Sequence, residues 1–442
     1  MRLMWFGIVA AATACTTAMA ANTPTDFADV APVIEKHCTG CHQKGEIGPM
    51  AFTSYSEIRP WAKAIRAAVL SRSMPPWHAD PKGSTHFANS RALSQTEVAL
   101  LTRWVDEGAP QGKRAAAIRV TTQSTGWKLG AKPDLIVSVP PHPIPAGGIM
   151  SYVFVVRGTN FKEDKWIRGA EWRIDQRQVV HHMNAFIRPP GSSYLSGAPR
   201  DVAYVATSSE RSARRPDERE TDRRELLAGY EPGYRPAFWE NGRAKLLRKG
   251  SDIVFEIHYT PNGKETTDAS ELGLYFASEP PRERVLTITP ADANMAIPPG
   301  DPNYVTRMSA TMKSPVELIS LQPHMHLRGK AFQVRAVFPD GRTEPLLDVP
   351  KYDFNWQTTY YLKSPLRLPE GARLEYVGVF DNSANNKSNP DPTQTVRWGD
   401  QSYEEMSIGF TEIAFPVTAD AEVAVLSGTT RPAGISASPG TR

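Results

Sequence analysis

Cysteine is scarce in this chain of 442 residues, which contains only Cys15, Cys38 and Cys41. So few cysteines exclude a framework of disulfide bonds. Long apolar runs are also lacking, because residues 3–14 are too few to span a membrane and no later stretch is long enough. We therefore expect a soluble protein without an integral membrane segment. Neither sign of charge dominates, since 51 basic residues balance 47 acidic ones for a net charge of +4, and no nucleic-acid partner is implied.

The N-terminus has the pattern of a secretory signal peptide, residues 1–20. Arg2 precedes the apolar residues 3–14, and Ala18-Met19-Ala20 supplies the small residues of a cleavage site. Cleavage after Ala20 predicts an exported protein, periplasmic or secreted, that keeps two cysteines. The alternative is a lipid-anchored form attached through Cys15, because residues 12–15 weakly match a lipidation box.

The two remaining cysteines belong to Cys38-Thr39-Gly40-Cys41-His42, which is the Cys-x-x-Cys-His signature of c-type haem attachment. In such a site each thiol bonds to the porphyrin and the adjacent histidine ligates the iron. The alternative is a redox or zinc Cys-x-x-Cys, but a zinc site would need two more ligands of that kind and the chain has no other cysteine. We therefore predict a covalently bound haem c.

Helical patterns surround this motif. Residues 26–37 predict a short helix, the apolar spacing of residues 58–69 predicts another, and Ser94-x-x-Glu97 is a capping box that opens a third. Residues 24–112 thus resemble a small all-α cytochrome c domain. In such domains a segment like Gly48-Pro49 packs against the haem and supports the ligating histidine.

The second axial ligand of the iron is predicted to be Met74, which stands just before a proline where a helix ends. A thioether ligand raises the reduction potential of haem iron. Met50 and His78 are the rivals for this position. His37, beside the first cysteine of the motif, is expected at the surface.

The residue pattern of the sequence changes after a polar linker, residues 113–131. Its composition predicts a tether that would leave the helical unit without one fixed pose. Short alternating or apolar runs with Pro, Gly and Asp-Gly punctuation then predict an all-β architecture. We assign residues 132–285 to one β domain, 286–420 to a second, and 421–442, rich in Ser, Gly, Thr and Pro, to a disordered tail.

Histidines recur in these β segments. His324 and His326 follow the apolar residues 316–321, and in an extended chain they would face one side while Met325 turns away. Two adjacent histidines within a strand need a twist or bulge to reach one metal. Imidazole and thioether groups are copper ligands, and the candidates in chain order are His181, His182, His258, His324, His326 and Met406.

The order His-His, single His, His-x-His and Met resembles the copper type II, ascorbate-dependent monooxygenases, the family of peptidylglycine α-hydroxylating monooxygenase and dopamine β-monooxygenase. The resemblance spans residues 132–415 and implies two jelly-roll-like β-sandwich domains with an open cleft between them. It implies two copper ions. His181, His182 and His258 would hold the electron-transfer copper, whereas His324, His326 and Met406 would hold the catalytic copper.

Two departures from the family stand out. The animal enzymes carry several disulfides, for which this chain has no cysteines. The amidating enzymes bind a peptide carboxylate with an Arg, an Asn and a Tyr at positions that are Gln322, Ile408 and Phe410 here. Peptide amidation is therefore not expected, and the missing clamp favours a more apolar substrate.

The sequence thus predicts an exported haem–copper monooxygenase that hydroxylates a C–H bond of a small substrate with O₂. The fused cytochrome would supply the electrons, received from a redox protein or a small reductant. One alternative is a copper and haem electron-transfer protein without hydroxylase activity. Another is a structural β-sandwich protein whose histidines bind no metal.

Overall fold

A computed structural model of the chain describes residues 25–114, 116–119, 126–212, 218, 220–419 and 422–428. The predicted signal peptide and the alternative lipid site at Cys15 lie outside the described residues. Within this part of the chain, no helix combines the length and the apolarity that crossing a membrane requires.

Helices concentrate near the N-terminus, in what we call the helical unit, residues 25–114. Asp26 and Ser94 begin the first and last of its helices with capping boxes, and the second box is the one predicted. Leu101 and Trp104 are buried, whereas Trp61, in a 3₁₀ turn, is 40% exposed. The helices in the described residues are α1 Phe27–His37, α2 Tyr55–Ile58, α3 Ala62–Leu70, α4 Gln95–Asp106, α5 Ser208–Ser212 and α6 Glu220–Arg223, with a 3₁₀ turn at Arg59–Trp61.

The rest of the described chain is mostly β-structure, as the punctuation predicted. The strands are β1 Leu135–Ser138, β2 His142–Ile144, β3 Val153–Gly158, β4 Lys165–Arg173, β5 Val180–Arg188, β6 Ala203–Tyr204, β7 Glu225–Tyr230, β8 Ala237–Phe238, β9 Arg243–Leu247, β10 Asp252–Tyr259, β11 Thr266–Asp268 and β12 Glu271–Phe276. They continue with β13 Glu283–Ile288, β14 Ala296–Ile297, β15 Tyr304–Met312, β16 Val316–His324, β17 Gly329–Val337, β18 Thr343–Val349, β19 Tyr360–Leu368, β20 Arg373–Phe380, β21 Val396–Arg397, β22 Ile408–Pro416 and β23 Ala424–Gly428.

One long sheet runs through both halves of the β-structure, in the order β1-β12-β4-β9-β13-β22-β16-β19. Its first half shares a core with the sheet β6-β3-β10-β5-β7, and its second half shares a core with β18-β17-β20-β15-β23. These packed pairs are the N-terminal and C-terminal sandwiches. The halves join where β9 and β13 pair in parallel, so the domain boundary expected after residue 285 falls inside β13.

A third apolar cluster lies between the two sandwiches, and we call it the interface cluster. It packs one face of the N-terminal five-stranded sheet, including Phe154 and Val254, against Met406, Ile408 and Phe410. Along β10 apolar residues alternate in the sequence, and three of them, Ile253, Phe255 and Ile257, enter the N-terminal core instead. The strand pattern therefore turns His258, which alternates with them, toward the junction of the sandwiches.

The helical unit is attached to the C-terminal sandwich by residues 77–91, which we call the strap. Trp77 and Ala79 are buried in the core of that sandwich. Backbone hydrogen bonds follow, from Ala88 N to Tyr361 O at 2.8 Å and from Lys363 N to His86 O at 2.9 Å. The expectation of a loosely tethered unit was therefore wrong, because it considered the linker and not this second connection.

The predicted C-terminal tail also needs correction. Residues 424–428 form β23, which pairs antiparallel with β15, so part of the segment assigned to disorder completes a sheet. Apolar Val425 and Leu426 lie at the centre of this short strand, and the surrounding Ser, Gly and Thr residues masked that signal. Residues 429–442 lie outside the described residues.

Candidate metal centre

His181 and His182 lie at a bulge in β5. His258 of β10 aligns with His182, but the next residue, Tyr259, aligns with Val180, so His181 is an extra residue in the ladder. A bulge changes the direction of the side chains around it. Both histidines therefore reach the same side as His258, and the bulge predicted from the adjacent pair is confirmed.

These three histidines form a compact group of neutral donors. Their ligand nitrogens lie within 4.8 Å of one another, with 3.1 Å between Nδ1 of His181 and Nδ1 of His182. Burial lowers the pKa of all three, that of His258 to about 3. At neutral pH they are uncharged, which is the form of imidazole that binds metals.

Two nitrogens of this group have no hydrogen-bond partner among the described residues. They are Nε2 of His182 and Nδ1 of His258, both buried. Buried polar atoms are nearly always satisfied, and three converging neutral imidazoles are a donor set that copper accepts. The residues present therefore fit a bound copper ion.

His324 and His326 form a second pair, at the end of β16 and in the loop after it. Their ring centroids are 5.2 Å apart at an interplanar angle of 83°. Met325 between them is fully buried in the core of the C-terminal sandwich, where its backbone N donates to the Tyr352 hydroxyl at 3.1 Å. The predicted arrangement, with both histidines to one side and Met325 to the other, is confirmed.

The hydrogen bonds of this pair select which nitrogens remain for a metal. Nδ1 of His324 lies 2.6 Å from Oε1 of Gln357, and Nδ1 of His326 lies 3.2 Å from the carbonyl oxygen of Glu404. Because both partners are oxygen acceptors, each Nδ1 carries the proton and each Nε2 is free to ligate. Burial lowers the pKa of His324 to about 4 and of His326 to about 3, so both are neutral.

Met406 is held beside this pair through its neighbour Glu405. The buried carboxylate of Glu405 accepts hydrogen bonds from the backbone N of His326, at 2.8 Å, and of Arg328, at 2.6 Å. Two residues after Met406, Ile408 aligns with His324 across the β16–β22 ladder. Met406 is 6% exposed and packs in the interface cluster. The structure thus brings Met406 and the histidine pair to the same end of one ladder.

The two groups of histidines share a neighbour that sequence reasoning missed. The ring centroid of Phe354 lies 5.8 Å from that of His181 and 5.9 Å from that of His326. The resemblance implied an open cleft at this place, and the structure puts an aromatic ring there. Phe354 follows β18 in a polar loop, and no spacing in the sequence relates it to the histidines.

The Cys-x-x-Cys-His residues lie where α1 ends. Cys38 and Cys41 are unpaired thiols, and burial raises the pKa of Cys38 to about 12. The His42 ring stacks on Phe52 at 4.5 Å, and its Nδ1 contacts the carbonyl oxygen of Met50 at 3.2 Å. Nε2 of His42 is therefore the nitrogen left for an iron atom, and these residues fit a c-type haem.

The segment after the motif supports His42, as expected. A Cβ added at Gly48 would lie 2.7 Å from Nδ1 of His42, so only glycine permits this approach. Met74 and His78 line a cavity of about 1320 Å³ between the end of α3, α4 and the strap. His37 is not the surface residue expected, because its side chain is only 6% exposed and meets Glu97 at 3.1 Å.

The comparisons with known proteins bear on the C-terminal half. Residues 284–412 match the family model described as copper type II ascorbate-dependent monooxygenase, C-terminal domain. No curated protein matches the chain. Two solved structures of infectious bursal disease virus, of the Gx and Gt strains, align at 10% identity over 65% and 64% of this chain and 72% of each viral chain. Their TM-scores of 0.18 and 0.17 are too low to carry an argument. The similarity is thus to the C-terminal domain of the copper type II ascorbate-dependent monooxygenases, and it is confined to residues 284–412.

Proposed function

We propose that this protein is an exported haem–copper monooxygenase that hydroxylates a C–H bond of a small molecule. The observation that supports it most is the position of the two clusters of neutral histidines. One cluster belongs to each sandwich, and both contact the ring of Phe354. The family match over residues 284–412 supports copper-dependent oxidation at the second group. The substrate, the electron supply and the export remain part of the proposal.

The two groups would divide the work as the resemblance implies. His181, His182 and His258 would hold the copper that transfers electrons, and His324, His326 and Met406 the copper at which the substrate is oxidised. Bound copper would supply one-electron redox chemistry and O₂ activation. One oxygen atom would enter the substrate C–H bond and the other would leave as water, with two electrons from the donor and two protons from the solvent.

The chain's own residues would orient this chemistry. Gln357 and Glu404 fix the tautomers of His324 and His326, so that each presents Nε2. Glu405 holds the backbone of the His-Met-His loop. Burial of the imidazoles excludes water, which prevents side reactions of the oxidant.

The helical unit would deliver the electrons through a covalent haem c. Cys38 and Cys41 would hold the porphyrin, and His42 and Met74 the iron. Met50 is the less suitable candidate, because its carbonyl already contacts His42. His78 stays an alternative. It lines the same cavity as Met74, and Cys38, Cys41 and His42 are not among the residues that line it.

Copper and O₂ measurements on the full-length protein test this proposal. We expect two copper ions per chain, one fewer in His181→Ala and in His324→Ala, and no loss in His86→Ala, a control at an exposed histidine of the strap. Substrate-dependent O₂ uptake should accompany the copper. Copper redox change without O₂ consumption would instead identify an electron-transfer protein, and absence of copper would leave a structural role.

Haem staining after denaturing electrophoresis tests the other cofactor. The protein band should stain because the porphyrin is bound covalently, and Cys38→Ala together with Cys41→Ala should abolish the colour. A band without stain in the wild-type protein purified from a host that matures c-type cytochromes would contradict the haem assignment.

A further inference from the structure

Phe354 stands between the two groups of histidines and contacts four of their five rings. Besides His181 and His326, its ring centroid lies 6.4 Å from His182 and 6.2 Å from His258. The ring is partly buried and also packs against the core of the C-terminal sandwich. A molecule placed between the two metal sites would therefore have to meet this ring.

Two polar neighbours of Phe354 lie close to the two groups. Gln357 hydrogen-bonds to His324 at 2.6 Å. Asn355 is near enough to His181 to oppose the lowering of its pKa by burial, although its own Nδ2 donates to Asp353 Oδ1. Asn355 is part of a tight turn, in which Trp356 N donates to Asp353 O at 2.9 Å. We call residues 353–357 the clasp. Its ring is placed beside the first group by ring contacts and tied to the second group through Gln357.

The other rings that contact the histidines belong to aromatic residues. Tyr152 stacks on His258 with ring centroids 4.8 Å apart, and Phe410 lies 5.9 Å from His324. The amide of Gln322 is already used, because its Nε2 donates to the backbone oxygen of Gln357 at 2.9 Å. The surroundings of the histidine rings are therefore mainly aromatic, and the buried Tyr152 hydroxyl, which has no hydrogen-bond partner among the described residues, is a polar group there.

We propose that the clasp is the substrate gate, and that the substrate is a small uncharged apolar molecule which displaces the ring of Phe354. An apolar molecule would replace one set of aromatic contacts with another. A charged molecule would lose its hydration without gaining a partner. This inference rests on the proposed function and specifies the class of its substrate and the limit on substrate size.

Displacement of the ring can be observed directly. The full-length, copper-loaded protein carries 4-fluorophenylalanine at position 354, and its ¹⁹F resonance is followed during titration with toluene, benzoate or benzylamine. We expect toluene to shift the resonance, with a Kd at least tenfold lower than those of the two charged probes. The same label at position 161 is the control, because Phe161 is also partly buried but packs on the N-terminal core, against Phe276.

The size limit is tested with a series of alkylbenzenes. In the wild-type protein, substrate-dependent O₂ uptake should favour toluene over butylbenzene at least tenfold in kcat/KM. Phe354→Ala should reduce that preference at least tenfold, while Phe161→Ala, which also creates a cavity, should keep it. The Cu(II) EPR spectra of both variants should match that of the wild type.

The outcomes distinguish a failure of this inference from a failure of the proposed function. Suppose that copper binds and O₂ is consumed, but the resonance at position 354 does not shift with toluene or shifts equally with benzoate. The gate proposal is then refuted, whereas the proposed monooxygenase function is not. An unchanged size preference in Phe354→Ala also refutes it. If the wild-type protein binds no copper, the proposed function itself has failed.

Discussion

The indole ring of Trp77 packs edge-on against the phenol ring of Tyr360, with centroids 4.9 Å apart and planes at 68°. Trp77 follows the helical unit's third helix, and Tyr360 opens β19 of the C-terminal sandwich. Phe87 of the strap completes the group, with its ring centroid 5.2 Å from that of Tyr360. The strap is thus part of the core of the sandwich, and this changes what a truncated protein should do.

Trp77→Ala should lower the free energy of unfolding by about 3–5 kcal/mol, the usual cost of removing a large buried aromatic side chain. Urea unfolding monitored by circular dichroism measures the change. Trp61→Ala is the matched control, because Trp61 is 40% exposed and its loss should cost about 1 kcal/mol or less. Equal effects of the two substitutions would contradict the assignment of Trp77 to the sandwich core.

The same packing bears on a chain that begins near Thr121. Such a chain would keep all the proposed copper ligands, since none of them precedes His181. The structure adds that this truncation removes Trp77 and Ala79 from the core. We now expect the truncated chain to unfold at lower urea concentration than the full-length protein, and an unchanged midpoint would argue that the strap is dispensable.

Gln357→Leu should weaken copper binding at the His324–His326 site about 10–100-fold, the usual effect of removing the partner that orients a ligating histidine. Copper titration of the metal-free protein against a competing chelator measures it. Gln357→Glu keeps an oxygen acceptor and should restore most of the affinity. Gln333→Leu is the control, because Gln333 is exposed and contacts Asp348 instead. Identical affinities in all three variants would show that Gln357 has only a structural role.

Met406→Leu should spare most Cu(II) binding but weaken Cu(I) binding, because a thioether prefers the softer ion. The substitution nearly conserves volume, which limits its effect on packing in the interface cluster. Met312→Leu, at a buried methionine of the C-terminal core, controls for loss of stability. Competition titrations in both oxidation states provide the measurement. Equal losses for Cu(I) and Cu(II) would indicate that Met406 only packs.

Glu231 should make stability depend on pH. Burial raises its pKa to about 7, despite the nearby charge of Arg91 and a hydrogen bond from Thr359 N. Because the folded pKa is above the unfolded one, near 4.5, the protonated form stabilises the fold at low pH. That stability is lost as pH rises through 7. Asn89, Arg91, Tyr234, Arg235 and Tyr361 line the small cavity around Glu231.

Glu231→Gln should remove this loss. The free energy of unfolding of the variant, relative to the wild type, should increase between pH 5 and pH 8, as followed by urea titrations at several pH values. Taking the difference cancels the contributions of other titrating groups. Glu240→Gln, at an exposed position, should show no such trend. A flat difference for Glu231→Gln would place its ionisation outside this range.

Local patterns in the sequence were enough to predict local geometry. The adjacent His181 and His182 required a bulge, and the alternation of β10 placed His258 opposite its apolar residues. Contacts between distant segments correspond to no such local pattern in the sequence. Gln357 reaches His324 across 33 residues, and Trp77 enters a core formed more than 200 residues later. Such pairs depend on how the sheets pack, which neither spacing nor propensity encodes.

The parallel pairing of β9 with β13 has a consequence for how the two sandwiches could move. Arg243 strengthens this junction through Glu283, at 2.7 Å, so one hydrogen-bonded sheet spans both halves. Hinge bending between the halves would break that ladder, and such collective motions take microseconds to milliseconds. If the clasp is the gate proposed above, the timing of substrate entry would instead depend on the short loop around Phe354, since loop motions occur in nanoseconds to microseconds. Admission would then be a fast, local event that leaves the sheet pairing intact.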